Sequence, residues 1–171
     1  MWIFGYGSLV WRPSFRYAEA HVATLDGFAR RFWQGSEDHR GVPGAPGRVV
    51  TLVPSPGERV VGRAFRVAEA DRELVIAALD HREQGGYAQH AVTLALADGR
   101  RVEATVYVAT ADNPMWLGPA PIDAIAAEGA RAVGPSGANA EYVTRLEAWL
   151  REVGAEDAHV RALADALRAR G

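Results

Sequence analysis

The chain of 171 residues contains no cysteine and no lysine, so all 19 of its positively charged side chains are arginines. Without cysteine, the chain can form no disulfide, no thiolate nucleophile and no cysteine-ligated zinc site. Without lysine, it can form no Schiff base, cannot attach pyridoxal phosphate and lacks the lysine of a Walker A loop. Any chemistry must therefore come from other groups.

Charge and hydropathy exclude further classes. The net charge of −2 predicts neither a nucleic-acid partner nor an anionic membrane partner. No apolar run is long enough to span a bilayer. The N-terminus has the pattern of a strand, so we expect no signal peptide and a cytoplasmic location. No metal site is expected, because none of the metal-ligand spacings links the five histidines His21, His39, His81, His90 and His159.

Length and composition predict one globular domain over residues 1–171, with a real core. Strand patterns dominate the first two thirds: Trp2–Phe4, His21–Leu25, Ala29–Trp33, Arg48–Val53, Arg59–Val67, Gln89–Leu96 and Arg101–Ala109. A turn is predicted at Pro54–Gly57 and a hairpin at Asp98-Gly99. Helical patterns cover Glu69–Arg82, a segment ending near Gly134, a stripe from Tyr142 to Val153 and a final segment around Val160–Leu167. A largely antiparallel sheet with late helices is an α+β fold.

The segment Phe4-Gly5-Tyr6-Gly7-Ser8-Leu9 is the first candidate site. Successive amides in a glycine turn form a nest that binds carboxylates or oxyanions. A Cβ at Gly7 would block close approach of a ligand or force a strained φ. The alternative is a tight turn after an edge strand, because short Gly-x-Gly runs are weak signals.

Glu83 and Tyr142 are the other candidates. Glu83 follows a predicted helix, whose negative end disfavours an ionised carboxylate, and burial would raise its pKa further. Such a group suits general base catalysis, although most helix-end glutamates are surface charges. Tyr142 lies on an apolar helical stripe, yet its hydroxyl needs a polar partner.

Five segments, in order along nearly the whole chain, resemble the ChaC-type glutathione-specific gamma-glutamylcyclotransferases. They are Phe4-Gly5-Tyr6-Gly7-Ser8-Leu9-Val10-Trp11, Trp33-Gln34-Gly35-Ser36 with Asp38–Pro43, Pro46–Leu52, Leu79-Asp80-His81-Arg82-Glu83 with Gly85-Gly86-Tyr87, and Ala132–Gly137 with Asn139 and Tyr142. Two residues depart from the pattern of that family. Glu37 stands where a small residue is usual and Gln84 where lysine is common, and both are expected at the rim of the site.

The resemblance implies a mixed β-barrel with flanking helices. It also implies cleavage of glutathione to 5-oxoproline and cysteinylglycine without a metal or cofactor. Glu83 would then be the catalytic acid and base, and the substrate would contact the residues Gly5, Tyr6, Gly7, Ser8, Leu9, Val10 and Tyr142. The sequence carries no indication of an oligomeric state.

Two alternatives remain at this stage: a cyclotransferase acting on other γ-glutamyl amines or amino acids, and a γ-glutamyl-binding module without turnover. Selectivity for glutathione would have to come from contacts with its cysteinylglycine half. The polar loop Gly35–Pro43, with Asp38, His39 and Arg40, is the candidate for those contacts.

Overall fold

A computed structural model describes residues 1–170 of the chain. Its strands are β1 (Trp2–Gly5), β2 (Glu19–Ser36), β3 (Gly47–Arg66), β4 (Tyr87–Leu96), β5 (Arg101–Ala109), β6 (Val133–Gly134) and β7 (Gly137–Ala138). Its helices are α1 (Arg72–Arg82), α2 (Ile122–Arg131), α3 (Asn139–Glu152) and α4 (Ala158–Arg168). Short 3₁₀ turns cover Ser8–Val10 and Glu69–Asp71.

Five strands close into a barrel in the order β1-β3-β2-β4-β5. β1 pairs antiparallel with β3 and parallel with β5, and this second pairing closes the barrel. β4 and β5 form the predicted hairpin, in which Gly99 has a positive φ of 90°. The α+β class and the barrel with flanking helices are confirmed.

Two long strands replace four short predicted ones. β2 runs through Gly27 and β3 runs through the Pro54–Gly57 segment, which was predicted to be a turn. The pairing passes from Asp26 opposite Arg59 to Phe28 opposite Pro54, so residues 55–58 are left opposite Gly27. The proline and glycine signals therefore mark a bulge that bends the strand pair, not a reversal of the chain.

Two hydrophobic clusters support the fold. The larger one fills the barrel and the space under α3 and α4, and it includes the predicted stripe residues Tyr142, Leu146, Trp149 and Leu150. The smaller cluster joins α1 to the outside of the barrel through Val75 and Leu79. Leu74, also in the predicted helical segment Glu69–Arg82, is 74% exposed. α1 is thus anchored by one narrow face, and that face fixes the position of its C-terminal end.

The segment between α2 and α3 differs from the expectation. α2 ends at Arg131, and the chain then forms the small hairpin β6–β7 around residues 135–136 instead of extending the helix to Gly134. Gly134 packs so closely that a Cβ there would lie 2.4 Å from the His39 carbonyl oxygen. Within residues 1–170, no helix is long and apolar enough to cross a membrane.

Candidate active site

A cavity of about 310 Å³ opens at one end of the barrel, a size within the usual range for small-molecule sites. Its walls come from the loop after β1, the end of β2 with the loop that follows it (Gly35, Ser36 and residues 38–40), Val49 and Val50 of β3, the end of α1, and α3. The predicted site residues that line it are Gly5, Tyr6, Gly7, Ser8, Leu9, Glu83 and Tyr142. Val10 does not line it, because its side chain is fully buried in the larger core cluster.

The loop after β1 lines the cavity and contains backbone amides without a protein acceptor. The Val10 amide donates to the Gly7 carbonyl (3.1 Å) and the Arg12 amide to the Ser8 carbonyl (2.9 Å), which closes a tight turn. Within the described chain, the amides of Gly7, Ser8 and Leu9 donate to no protein acceptor. Three adjacent amides without protein acceptors remain available to a ligand, and the nest that the glycine pattern predicts stays a prediction.

Gly7 is required by close packing and not by a left-handed backbone. Its φ is −121°, which other residues adopt. A Cβ at this position would lie 2.6 Å from the Tyr142 hydroxyl oxygen and 2.9 Å from Val50 Cγ2. The strained φ expected at this glycine is not found. The close approach that requires glycine is to the protein's own tyrosine, and close approach of a ligand stays a prediction.

Arg82 connects the loop to the end of α1. Its Nη2 donates to Ser8 Oγ (2.6 Å), its Nη1 donates to Ser14 Oγ (3.0 Å), and its Nε lies 3.5 Å from Glu83 Oε1. In the sequence, Arg82 is notable only as the neighbour of Glu83 in one of the five matching segments. In the structure it bridges the two sides of the cavity and places a positive charge beside both.

Glu83 is the C-cap residue of α1. Its amide donates to the Leu79 carbonyl (2.8 Å), its carbonyl accepts from the Tyr87 amide (3.2 Å), and its side chain is 19% exposed. Burial raises the pKa of the Glu83 carboxyl and Asp38 adds to the rise, while the charges of Arg82 and His39 oppose it. A carboxyl with a raised pKa can exchange protons closer to neutral pH.

Tyr6, Tyr87 and Tyr142 line the same cavity as Glu83. Tyr6 donates to the Tyr107 carbonyl and Tyr87 to the Val50 carbonyl, each at 2.7 Å. The Tyr142 hydroxyl instead accepts from the Val50 amide (3.4 Å), and its own proton has no acceptor within residues 1–170. Burial raises the pKa of Tyr142 to about 12, so the group stays neutral and its proton remains available as a hydrogen-bond donor.

The loop after β2 places Asp38, His39 and Arg40 in different environments. Arg40 is buried, donates to the Ala138 carbonyl (3.0 Å), pairs with Glu141 (3.3 Å) and covers the Tyr142 ring. Asp38 and His39 have about half of their side chains exposed and line the cavity. All three residues proposed for selectivity line the cavity, but Arg40 is buried beside a structural partner, whereas Asp38 and His39 have about half of their side chains exposed.

Three further polar residues lie in the segments that surround the cavity, and only one of them lines it. Arg12 lines the cavity with an exposed side chain and forms no ion pair within the described chain, and no sequence signal had singled it out. The unusual Glu37 accepts a hydrogen bond from the Gly44 amide (3.0 Å), and the unusual Gln84 is exposed. Neither residue lines the cavity. Over residues 1–170, no three His, Asp or Glu side chains cluster as a metal site would require.

The chain is similar to known proteins in both sequence and fold. The family model for ChaC-like proteins matches residues 1–170. Human glutathione-specific gamma-glutamylcyclotransferase 1 is 43% identical over 98% of this chain and 78% of its own length. The Escherichia coli glutathione-specific gamma-glutamylcyclotransferase is 36% identical over 92% of this chain and 68% of its own length. The crystal structure of a yeast gamma-glutamyl cyclotransferase specific to glutathione superposes with a TM-score of 0.92 at 30% identity, covering 99% of this chain and 96% of that chain.

Proposed function

Because the chain belongs to the ChaC-like family, we propose that it cleaves glutathione by cyclising the γ-glutamyl group, giving 5-oxoproline and cysteinylglycine. One observation supports this most directly: the buried carboxyl of Glu83, with its raised pKa, lines the same cavity as the amide nest of Gly7–Leu9. The nest suits an anionic group of the substrate, and the carboxyl suits proton transfer.

The reaction has an internal nucleophile. The α-amine of the glutamyl group attacks its own γ-carbonyl carbon, a new C–N bond closes the five-membered ring, and the bond to the cysteine nitrogen breaks. No serine, cysteine or lysine nucleophile is needed, which agrees with the absence of cysteine and lysine from the chain. The main task of the protein is to hold the glutamyl chain in its reactive conformation, and such positioning can account for much of the barrier.

Different residues bind the substrate and transfer the protons. In our proposal, the amides of Gly7–Leu9 hold the α-carboxylate, with Gly5 and Tyr6 shaping the wall beside it. Glu83 accepts a proton from the α-ammonium group so that the amine can attack, and the same nitrogen loses a second proton as the ring forms. Both protons pass through Glu83 to the cysteine nitrogen, which leaves as an ammonium group, so the proton balance closes without a metal or cofactor. The Tyr142 hydroxyl, whose proton has no protein acceptor, donates to an oxygen of the bound substrate.

The direct test is incubation of the purified protein with glutathione, with 5-oxoproline and cysteinylglycine measured by mass spectrometry. We expect both products in equal amounts. Binding without product would favour the γ-glutamyl-binding module. The cytoplasmic location remains a prediction, which imaging of a tagged protein in the source cells checks.

Selectivity is a separate question because most γ-glutamyl compounds offer the same glutamyl half. We propose that Asp38, His39 and Arg12, whose exposed side chains line the cavity, contact the peptide half. We therefore expect a higher kcat/KM for glutathione than for γ-glutamyl-alanine, a ratio that measures differential binding of the transition states. Equal values would instead support a general γ-glutamyl cyclotransferase.

A further inference from the structure

A buried arginine lies directly behind the substrate loop. The side chain of Arg30, on β2, has no exposed surface. Its Nε donates to the Tyr6 carbonyl (2.9 Å), its Nη2 to the Val61 carbonyl (2.5 Å) and its Nη1 to Asp157 Oδ2 (2.9 Å). A guanidinium presents its donors in a rigid fork, so these acceptors fix one another's positions.

The partner carboxylate comes from the far end of the chain. Asp157 is the N-cap of α4, and its Oδ1 accepts from the amides of His159 (3.1 Å) and Val160 (3.2 Å). One oxygen of the carboxylate thus holds the helix while the other holds the arginine. The C-terminal helix is thereby tied, through two side chains, to the carbonyl of Tyr6 in the loop.

The geometry of the peptide between Tyr6 and Gly7 sets the direction of the Gly7 N–H. It is trans, and in a trans peptide the carbonyl and the following N–H point in opposite directions. Because the Tyr6 carbonyl points at the buried guanidinium, the Gly7 N–H points away from it. Gly7 lines the cavity, and its amide has no acceptor in the described chain.

We propose that Arg30 and Asp157 are positioning residues for substrate binding: the buried pair turns the Gly7 N–H toward the cavity and strengthens it as a donor. The positive guanidinium polarises the Tyr6 carbonyl, and polarisation along a hydrogen-bonded chain makes the N–H at the other end of the peptide a better donor. The anion it receives is the substrate carboxylate, so this inference rests on the proposed function. Neither side chain touches the substrate.

The chain contains a matched pair that separates positioning from simple support of the fold. Arg48 is also buried, and it donates to Glu128 (2.5 Å) and to the carbonyls of Phe32 (3.2 Å) and Gly118 (2.9 Å). This second fork has the same chemistry, one carboxylate and two carbonyls, but it makes no hydrogen bond to the loop after β1. Loss of stability alone should affect both pairs in the same way.

The experiment compares Arg30→Lys with Arg48→Lys, since lysine keeps the charge and loses the fork. Weakening one charge-assisted hydrogen bond to the carboxylate should raise KM for glutathione about tenfold in Arg30→Lys, with kcat little changed because ground state and transition state lose the contact alike. In Arg48→Lys, we expect a lower Tm and an unchanged KM. An unchanged KM in Arg30→Lys, or an equal rise in both variants, would overturn the proposal.

A second experiment tests the same proposal by binding alone, without catalysis. Calorimetry of glutathione binding to Glu83→Gln, with and without Asp157→Asn, measures the same contact in an inactive background. Asparagine still caps α4, so this variant should fold even if Arg30→Lys does not, and we expect weaker binding. Equal binding in the two proteins would refute the positioning role, whereas a wild-type protein that forms no 5-oxoproline would refute the proposed function.

Discussion

The two walls of the cavity carry different kinds of chemical group, backbone amides on one and side chains on the other. The wall formed by the loop after β1 offers backbone amides, those of Gly7–Leu9, and its shape depends on a glycine. The opposite wall offers side chains, above all the carboxyl of Glu83 and the exposed groups of Asp38 and His39. Changes in the backbone wall should therefore alter binding, and changes in the side-chain wall should alter the chemical step.

The supports of the two walls differ as well. The backbone wall is held from behind by buried groups on distant elements, Arg30 of β2 and Tyr142 of α3. In the side-chain wall, Glu83 is held within α1 by its C-cap hydrogen bond. The chain after it is held by Gln34 of β2, which donates to the Gly85 carbonyl (2.7 Å) and to Asn113 Oδ1 (3.0 Å). A single distant substitution can thus disturb the backbone wall and leave Glu83 in place.

Glu83→Gln should give the largest effect, and it acts on the side-chain wall only. The amide is nearly isosteric but cannot accept the proton of the α-ammonium group. We expect kcat to fall about 10²–10⁴-fold, the usual range for general acid–base catalysis, with little change in KM. Steady-state kinetics with glutathione checks this, and a variant that keeps more than half of the wild-type rate would remove Glu83 from the mechanism.

Gly7→Ala should give the next largest effect, on the backbone wall. The added Cβ meets the Tyr142 hydroxyl oxygen at 2.6 Å, and overpacking of this kind costs about 1–3 kcal/mol of unfolding free energy. Glutathione binding should weaken because the Gly7 amide must move. Calorimetry and thermal unfolding measure the two effects.

The double variant Gly7→Ala/Tyr142→Phe serves as the control. Without the hydroxyl, the nearest atom of residue 142 would be the ring carbon that lies 3.8 Å from the added Cβ. The remaining close contact, with Val50 Cγ2 at 2.9 Å, comes from a side-chain methyl. The second substitution should therefore restore part of the lost stability. No recovery would mean that the tyrosine is not what requires glycine at position 7.

Much of the fold could be predicted from local patterns. The β4–β5 hairpin, the buried stripe of α3 and the barrel class are confirmed. The continuity of β2 and β3 could not be predicted, because the Pro54–Gly57 segment has the same local composition whether it reverses the chain or bulges out of a strand. Only the pairing of Asp26 with Arg59 and of Phe28 with Pro54 decides between the two.

The candidate site divides in the same way. Gly7 and Glu83 were predictable because a glycine turn and a helix-end carboxylate are local features of the sequence. Arg30, Arg12 and Asp157 were not, because each depends on which distant residue the fold brings to it; Arg30 and Asp157, for example, are 127 positions apart. Val10 is the opposite case: the motif continues along the chain to this residue, but its side chain is buried in the core and does not line the cavity.

The smallest expected effect concerns stability and reveals how the side-chain wall departs from the optimum for folding. Since burial raises the pKa of Glu83 above its ordinary 4.5, the folded state binds this proton more tightly than the unfolded state. Stability therefore decreases as pH rises from about that value through the raised pKa, and the ionised carboxylate destabilises the folded protein at neutral pH. Glu83→Gln should remove this penalty, so its Tm at pH 7 should exceed that of the wild type.

Thermal unfolding of both proteins between pH 4 and pH 8 checks the sign. The difference in Tm should be positive at neutral pH and should disappear as pH falls toward 4.5, the ordinary pKa of glutamate. His159 acts in the opposite direction, because burial lowers its pKa from 6.5 to about 4 and stability is lost as pH falls through that window. It is present in both proteins and cancels in the difference. A Tm difference that does not change with pH would mean that the carboxylate at position 83 is ionised without penalty, and the stability given up for catalysis would have to lie elsewhere.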